Sequence, residues 1–163
     1  MSMSTTNTAL IDRFEKGIQL IENAVRGAEE AFCDRPPAPG KWSIRQILVH
    51  VADADVVSAM RFRLIAAQPG SRLTPFDQEI WAERLNYNRQ PLSDALNAFV
   101  AVRKYTAQML RNLPESAWSN TAVHEERGEV SLPAYVEHMC VHAENHAEQI
   151  RKVRNKFESA AIA

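Results

Sequence analysis

Val136–Ile150 reads VEHMCVHAENHAEQI and sets His138, His142 and His146 four residues apart. An α-helix turns about 100° and rises about 1.5 Å per residue, so side chains at this spacing share one face. Tyr135, Met139, Ile150, Val153 and Phe157 point in one direction on such a helix, the stripe of an element packed into a core. By the same arithmetic His146 falls near the centre of the stripe, His142 roughly 45° from it and His138 roughly 85° away, at the boundary with water. The rings expected deepest are His142 and His146, with His138 exposed or at the boundary.

A lone buried histidine is commonly a hydrogen-bonded core residue. Two in successive turns bring four ring nitrogens into an apolar stripe, and each needs a partner. A metal ion answers that need, because imidazole nitrogens bind zinc at about 2.0–2.1 Å and i, i+4 spacing lets two rings converge on one ion. His138 and His146 lie about 12 Å apart along the axis, so all three cannot share it. A third ligand must come from another element. The H-E-x-x-H motif of zinc proteases is absent: in HAENH the acid is Glu144, about 160° from the stripe, and Ala143 stands where the catalytic base would be. Cys140 also points away from the pair, which marks it as a surface or second-interface residue rather than a ligand or nucleophile.

The rest of the chain supplies the frame. Its 163 residues suit one domain, 1–163, with frayed tails at 1–7 and 158–163. Nineteen basic against 20 acidic residues give a formal net charge of −1, so no general field attracts nucleic acid or anionic lipid. Arg61 and Arg63 in MRFRL fall about 200° apart on a helix and form no one-sided basic patch. Neither Cys33 nor Cys140 belongs to a C-x-x-C pair or a disulfide framework, and MSMSTTNTAL has no signal-peptide pattern. The expected location is cytoplasmic, with no membrane span.

Four long amphipathic helices are expected. The first runs from about Thr8 to Phe32 and is broken by DRPPAPGKW. The second starts after Ser43, whose side chain and Gln46 form an S-x-x-Q capping box, and ends at AAQPGSRLTP. A shorter helix covers Phe76 to Leu85, and the third long helix spans Ser93 to Arg111, closed by Pro114. Glu115 to Val130 reads as irregular, with a turn or short hairpin at Gly128, before Ser131 caps the last helix with Pro133 in its first turn. The fold class is therefore all-α, an up-down-type four-helix bundle with a short extra helix and an irregular segment before the last helix. Bundle cores are where metal and ligand sites are built.

His50, in ILVHVADAD, lies on the apolar arc of the second helix beside Ile47, Ala54 and Val57. Alone it reads as a core or boundary residue. Paired with His142 and His146 it becomes the candidate third ligand, provided the second and last helices pack together.

KWSIRQILVHVAD and HMCVHAENHAEQI together resemble the DinB-like, YfiT-like family of four-helix proteins described as metal-dependent hydrolases. The likeness follows helix order over most of the chain, although only those two segments are specific. It implies that His50 from the second helix and His142 and His146 from the last bind a divalent ion, commonly nickel or zinc. Similarity in outline to bacterial thiol-dependent transferases and isomerases implies a low-molecular-weight thiol as a second partner of that ion. His138 departs from the bare family pattern and reads as a neighbour of the ligands, as substrate-facing or, the reading its phase favours, as exposed or at the boundary.

Three neutral histidines leave at least one coordination position open, as in catalytic rather than structural sites. The expected function is a metal-dependent hydrolase or thiol-dependent transferase acting on a small molecule. The alternative is a non-catalytic bundle that binds metal or a small molecule, or that works chiefly as a homodimer. Asp53 reads either as a carboxylate orienting the His50 ring or, more simply, as a surface residue. Glu144 and Glu148 read as solvated, Gln149 either as a polar neighbour of the histidine stripe or as an inter-helix hydrogen-bonding residue, and His124 in AVHEERGEV as solvent-facing or else carried over the bundle mouth by its loop as an acid or base. Trp42, Trp81, Tyr87 and Trp118 are either pocket walls or hinges of the core.

Overall fold

The computed structural model describes residues 4–28 and 30–162, and of 158–162 the backbone alone. Among them lie the helices α1 (Thr5–Val25), α2 (Glu30–Cys33), α3 (Ile44–Ala67), α4 (Gln78–Arg84), α5 (Leu92–Arg111) and α6 (Leu132–Ile162). The expected all-α four-helix bundle is formed by α1, α3, α5 and α6. The packed pairs are α1 with α6, α3 with α5, α1 with α5, and α3 with α6. Consecutive long helices α1 and α3 thus face each other across the bundle, and α3 lies against α6. That adjacency is what a site shared between His50 and the last helix requires.

Two boundaries differ from the sequence reading. Helix α1 starts earlier than Thr8, because the Ser4 hydroxyl accepts the Asn7 N–H at 3.1 Å and caps it at Thr5. Residues 4–7 therefore belong to the cap and first turn rather than to a frayed tail, and backbone helix continues through 158–162; residues 1–3 and 163 lie outside the described ones. The helix also ends at Val25 rather than Phe32. Gly27 takes φ +75°, a left-handed conformation that stops the helix, and α2 follows as a separate piece.

The capping box at α3 is present in full. Ser43 Oγ accepts from the Gln46 N–H at 3.3 Å, and Gln46 Oε1 accepts from the Ser43 N–H at 3.0 Å. At α6 the Ser131 hydroxyl accepts from the Ala134 N–H at 3.4 Å. The segment read as irregular holds a 3-10 turn, Glu115–Ser119, and a hairpin of β2 (Thr121–His124) and β3 (Gly128–Ser131). A two-residue strand β1 (Arg72–Leu73) adds to β2 in parallel, giving the order β1-β2-β3. This small sheet closes one end of the bundle with Leu73 and Ala122 fully buried.

Of the two expected positions for Cys140, surface or second interface, it takes the second: it is buried, with its thiol 3.8 Å from the Leu10 carbonyl of α1. Helix α6 packs on two neighbours, so its buried face is wider than one stripe. Val136, Cys140, Ala143 and Ala147 complete that face, and the small alanines rather than His146 form its centre. Burial pushes the Cys140 thiol up to about 11, which leaves it without nucleophilic character at neutral pH.

One polar junction ties all four long helices together. Arg103 of α5, with no exposed surface, donates to both Asp55 carboxylate oxygens of α3 at 3.0 Å, to the Phe14 carbonyl of α1 at 2.7 Å and to the Met139 carbonyl of α6 at 2.8 Å. Gly17 makes room for it, since a Cβ there would stand 2.8 Å from Arg103 Nε. No helix among the described residues is long and apolar enough to cross a membrane.

Candidate metal centre

His50 sits on the second turn of α3, where the capping box fixes the start of the helix and its phase directs the ring toward α6. Its ring is 98 % buried, whereas His142 and His146 are half-buried on the flank of α6 that meets α3. The three side chains converge: one ring nitrogen from each lies within 4.8 Å of the others. Nε2 of His50 and Nε2 of His142 are 3.2 Å apart, and the His142 and His146 ring centroids 4.4 Å apart. Two nitrogens at about 2.0–2.1 Å from one tetrahedral ion would be separated by about 3.3 Å. The spacing therefore fits a shared ion without rearrangement of these two rings.

The donor set also has the right protonation. Burial, followed by the neighbouring His146, pushes His50 down to about 4. Burial and the charges of His146 and His50 push His142 down to about 2. Burial lowers His146 as well, against a hydrogen bond to Gln149 that raises it. Rings so placed are neutral at neutral pH, the state that ligates metal. Gln149 Oε1 accepts from His146 Nδ1 at 2.8 Å and leaves Nε2 free to face the cluster. The expected polar neighbour is thus in contact with the site. Nδ1 of His50 and Nδ1 of His142 are buried with no hydrogen-bond partner among the described residues.

Other expected roles fall differently. Asp53 does not reach His50; it accepts the hydroxyl of Tyr87, which is fully buried, so Tyr87 serves the core between α3 and α4. Glu144 turns away as predicted but is not free in solvent, since both its oxygens accept from Arg13 of α1 at 2.8 Å. Glu148 pairs with Arg151 at 2.8 Å on an exposed face. Trp42 lays its edge on His50 with ring centroids 5.0 Å apart, and Phe76, tilted against Trp81 at 4.5 Å, lies 6.3 Å from the same imidazole. Trp118 belongs to the core far from these rings.

His124, expected in solvent, is 95 % buried. The signal was available: in the strand Thr121–His124 alternate residues face inward, so Ala122 and His124 share the buried side. His124 and His138 line a cleft of about 280 Å³ that opens on His50 and His142. Arg61, Ser58 and Tyr135 form its floor, with Tyr135 accepting from Arg61 and sharing a hydrogen bond with Ser58, each at 3.1 Å. A smaller cleft of about 220 Å³, lined by Lys41, Trp42, Gln78 and Gln149, reaches His146.

Known proteins match this chain in sequence and in shape. A Bacillus mycoides protein is 26% identical over 159 residues, covering 95% of this chain and 91% of its own length. An Oceanobacillus iheyensis protein is 26% identical over 140 residues, covering 86% and 81% respectively. Both carry the provisional name of metal-dependent hydrolase. Among solved structures, YfiT from Bacillus subtilis, described provisionally as a metal-dependent hydrolase with an unusual four-helix bundle topology, superposes with a TM-score of 0.78 at 22% identity over 93% of this chain and 90% of that one. A mycothiol-dependent maleylpyruvate isomerase superposes with a TM-score of 0.72 at 12% identity, over 90% of this chain but 62% of that longer one. The DinB superfamily pattern matches residues 13–150, a stretch that includes all three converging histidines, the whole of α3 and α6 as far as Ile150. On that match the chain belongs to the DinB superfamily.

Proposed function

We propose that this protein is a metal-dependent enzyme in which His50, His142 and His146 hold one divalent ion, nickel or zinc, and which acts on a small molecule by hydrolysis or by transfer to a low-molecular-weight thiol. The observation that carries the reading is the convergence of three neutral imidazoles beside an open cleft. A structural site would close around its ion, whereas here the protein offers three nitrogens and a cavity. An ion so held would lower the pKa of a water or thiol ligand toward neutrality. The protein's own residues do the remaining work. Gln149 fixes the tautomer of His146, Trp42 and Phe76 shield His50 from bulk water, and the cleft presents a substrate to the His50–His142 side. The names of the sequence relatives support the hydrolase branch, and the name of the isomerase that shares the fold supports the thiol branch.

The non-catalytic alternative takes the 3.2 Å separation of the His50 and His142 Nε2 atoms as an N–H···N hydrogen bond between neutral rings. Metal content divides the two readings. Protein purified without a histidine tag is expected to carry one equivalent of nickel or zinc and to lose it in His146→Ala, while Gln149→Ala should weaken metal binding about 10–100-fold. Equal trace metal in the wild type and in His146→Ala would leave only the hydrogen-bonded bundle.

A further inference from the structure

Three arginines of this chain are at least 90% buried: Arg45 is 7% exposed, Arg61 9% and Arg103 0%. A guanidinium removed from water is expensive unless an anion compensates it. Arg103 has Asp55 at 3.0 Å, and Arg45 has Asp34 together with Glu30 at 3.6 Å. Arg61 has no carboxylate at ion-pair distance among the described residues. Its bonds are to the Tyr135 hydroxyl and the Thr74 carbonyl, both neutral. Those bonds hold the guanidinium still and leave further N–H groups for the cleft that it lines.

The surroundings repeat the charge. Arg127, on the exposed hairpin turn, lines the same cleft and has no ion pair among the described residues. The Glu126 N–H donates to His124 Nδ1 at 3.2 Å, which places the proton of that neutral ring on Nε2 and makes it a donor. After burial, the influences that lower His138 are Arg127, Arg61 and His124, with no acid opposing them. Glu126 is the one carboxylate among the lining residues, and it stands on the exposed turn.

We propose that this cleft is an oxyanion-binding subsite, in which Arg61 and Arg127 seat the carboxylate or phosphate of a small substrate next to His50 and His142. The proposal deepens the enzyme reading and rests on it for the word substrate, since it names the chemical class of the molecule acted on. A cavity of about 280 Å³ lies at the small end of ligand sites, so the substrate is a compact acid rather than a nucleotide or peptide. The fork of Arg61 suits a planar or tetrahedral oxyanion, and the converging histidines stand where its remaining atoms would lie.

The test titrates the full-length, metal-free protein with sodium succinate, acetate and inorganic phosphate, following the imidazole NMR signals of His124 and His138 against sodium chloride as the control. The expected result is saturable movement of both rings with at least one of the three anions. Affinity should fall about tenfold in Arg61→Gln, the loss of one charge-assisted contact, and less in Arg127→Gln. Arg127 is exposed, so that variant tests the proposal even where Arg61→Gln fails to fold. Tighter binding of succinate or acetate than of phosphate assigns the ligand to the carboxylates, and the reverse order to the phosphates. Movement no larger than chloride produces, or affinity unchanged in Arg127→Gln and in folded Arg61→Gln, overturns the proposal. Because no metal is present, a failed metal assay on the histidine variants is a separate result.

Discussion

Two polar clusters lie about a turn and a half apart between α3 and α6, and they obey opposite rules. At Arg103 and Asp55 the guanidinium donates to two carboxylate oxygens and two backbone carbonyls, so a buried charge is fully matched. At His50 and His142 two Nε2 atoms face each other while both Nδ1 atoms are buried with no hydrogen-bond partner among the described residues. A native interior rarely leaves polar atoms so placed, and where it does a functional reason is the first to consider. The matched cluster holds the helices at a fixed distance, and at that distance the rings of the unmatched one converge.

The largest effect should come from breaking the matched cluster. Asp55→Asn keeps the shape but leaves Arg103 as an uncompensated buried cation, and should cost about 3–5 kcal/mol in urea unfolding. Burial pushes Asp55 up to about 6 against the pull of Arg103, so it is ionised at neutral pH and the variant removes a real charge. A loss below about 1 kcal/mol would mean that water enters the junction. Metal binding per folded molecule should be retained.

Acid probes the other cluster. His50 is held down to about 4 and His142 to about 2, whereas an unfolded histidine titrates near 6.5. Between those limits the unfolded chain binds more protons, so stability is full above about pH 6.5 and falls as the pH drops toward 4. With at most about 1.4 kcal/mol per pH unit per ring, metal-free protein should lose about 2–4 kcal/mol between pH 6.5 and 5. Asp55, pushed up to about 6, opposes this loss in the same window, so unfolding curves at the two values check the sign in the wild type, and a net rise on acidification would mean that the carboxyl outweighs the two rings.

What the sequence made legible follows from local physics. The capping box at Ser43, the breaks at the proline-rich segments and the 3.6-residue period specify helices without reference to partners, and they place α3, α4 and α5 within two residues of the reading. The convergence of His50 with His142 and His146 was readable because phase selects a face and two helices had to supply it. Cys140 takes the second interface rather than the surface because a helix packed on two neighbours buries more than one stripe, with Val136, Ala143 and Ala147 on the added face. Arg103 and Asp55 were invisible as a pair, since nothing local distinguishes a buried arginine from a solvated one. Arg61 was missed for the same reason, since the cleft it lines is made by a hairpin folding over a helix, whereas the burial of His124 was legible in the alternation of its strand once the segment is read as a hairpin rather than as irregular.

The smallest expected effect is the most discriminating. His142→Leu removes two ring nitrogens, one of them orphaned, and replaces them with an apolar side chain on the flank of an apolar helix face. In a matched cluster such a change destabilises, because it strands the partner. At His142 the partner in hydrogen-bond reach among the described residues is His50, so the bond lost at the His50 Nε2 and the relief of an orphaned Nδ1 nearly offset, and stability of the metal-free protein at pH 7 should change by no more than about 1 kcal/mol while metal binding is lost. Such a variant would also lose about half of the acid sensitivity argued above, since one of the two depressed rings is gone. A His142→Leu protein that is markedly less stable without metal would assign the ring a structural hydrogen bond and move it to the same side of the comparison as Asp55. A variant that folds as well as the wild type but binds no metal would separate the two clusters by their energetics, one retained for folding and one for metal.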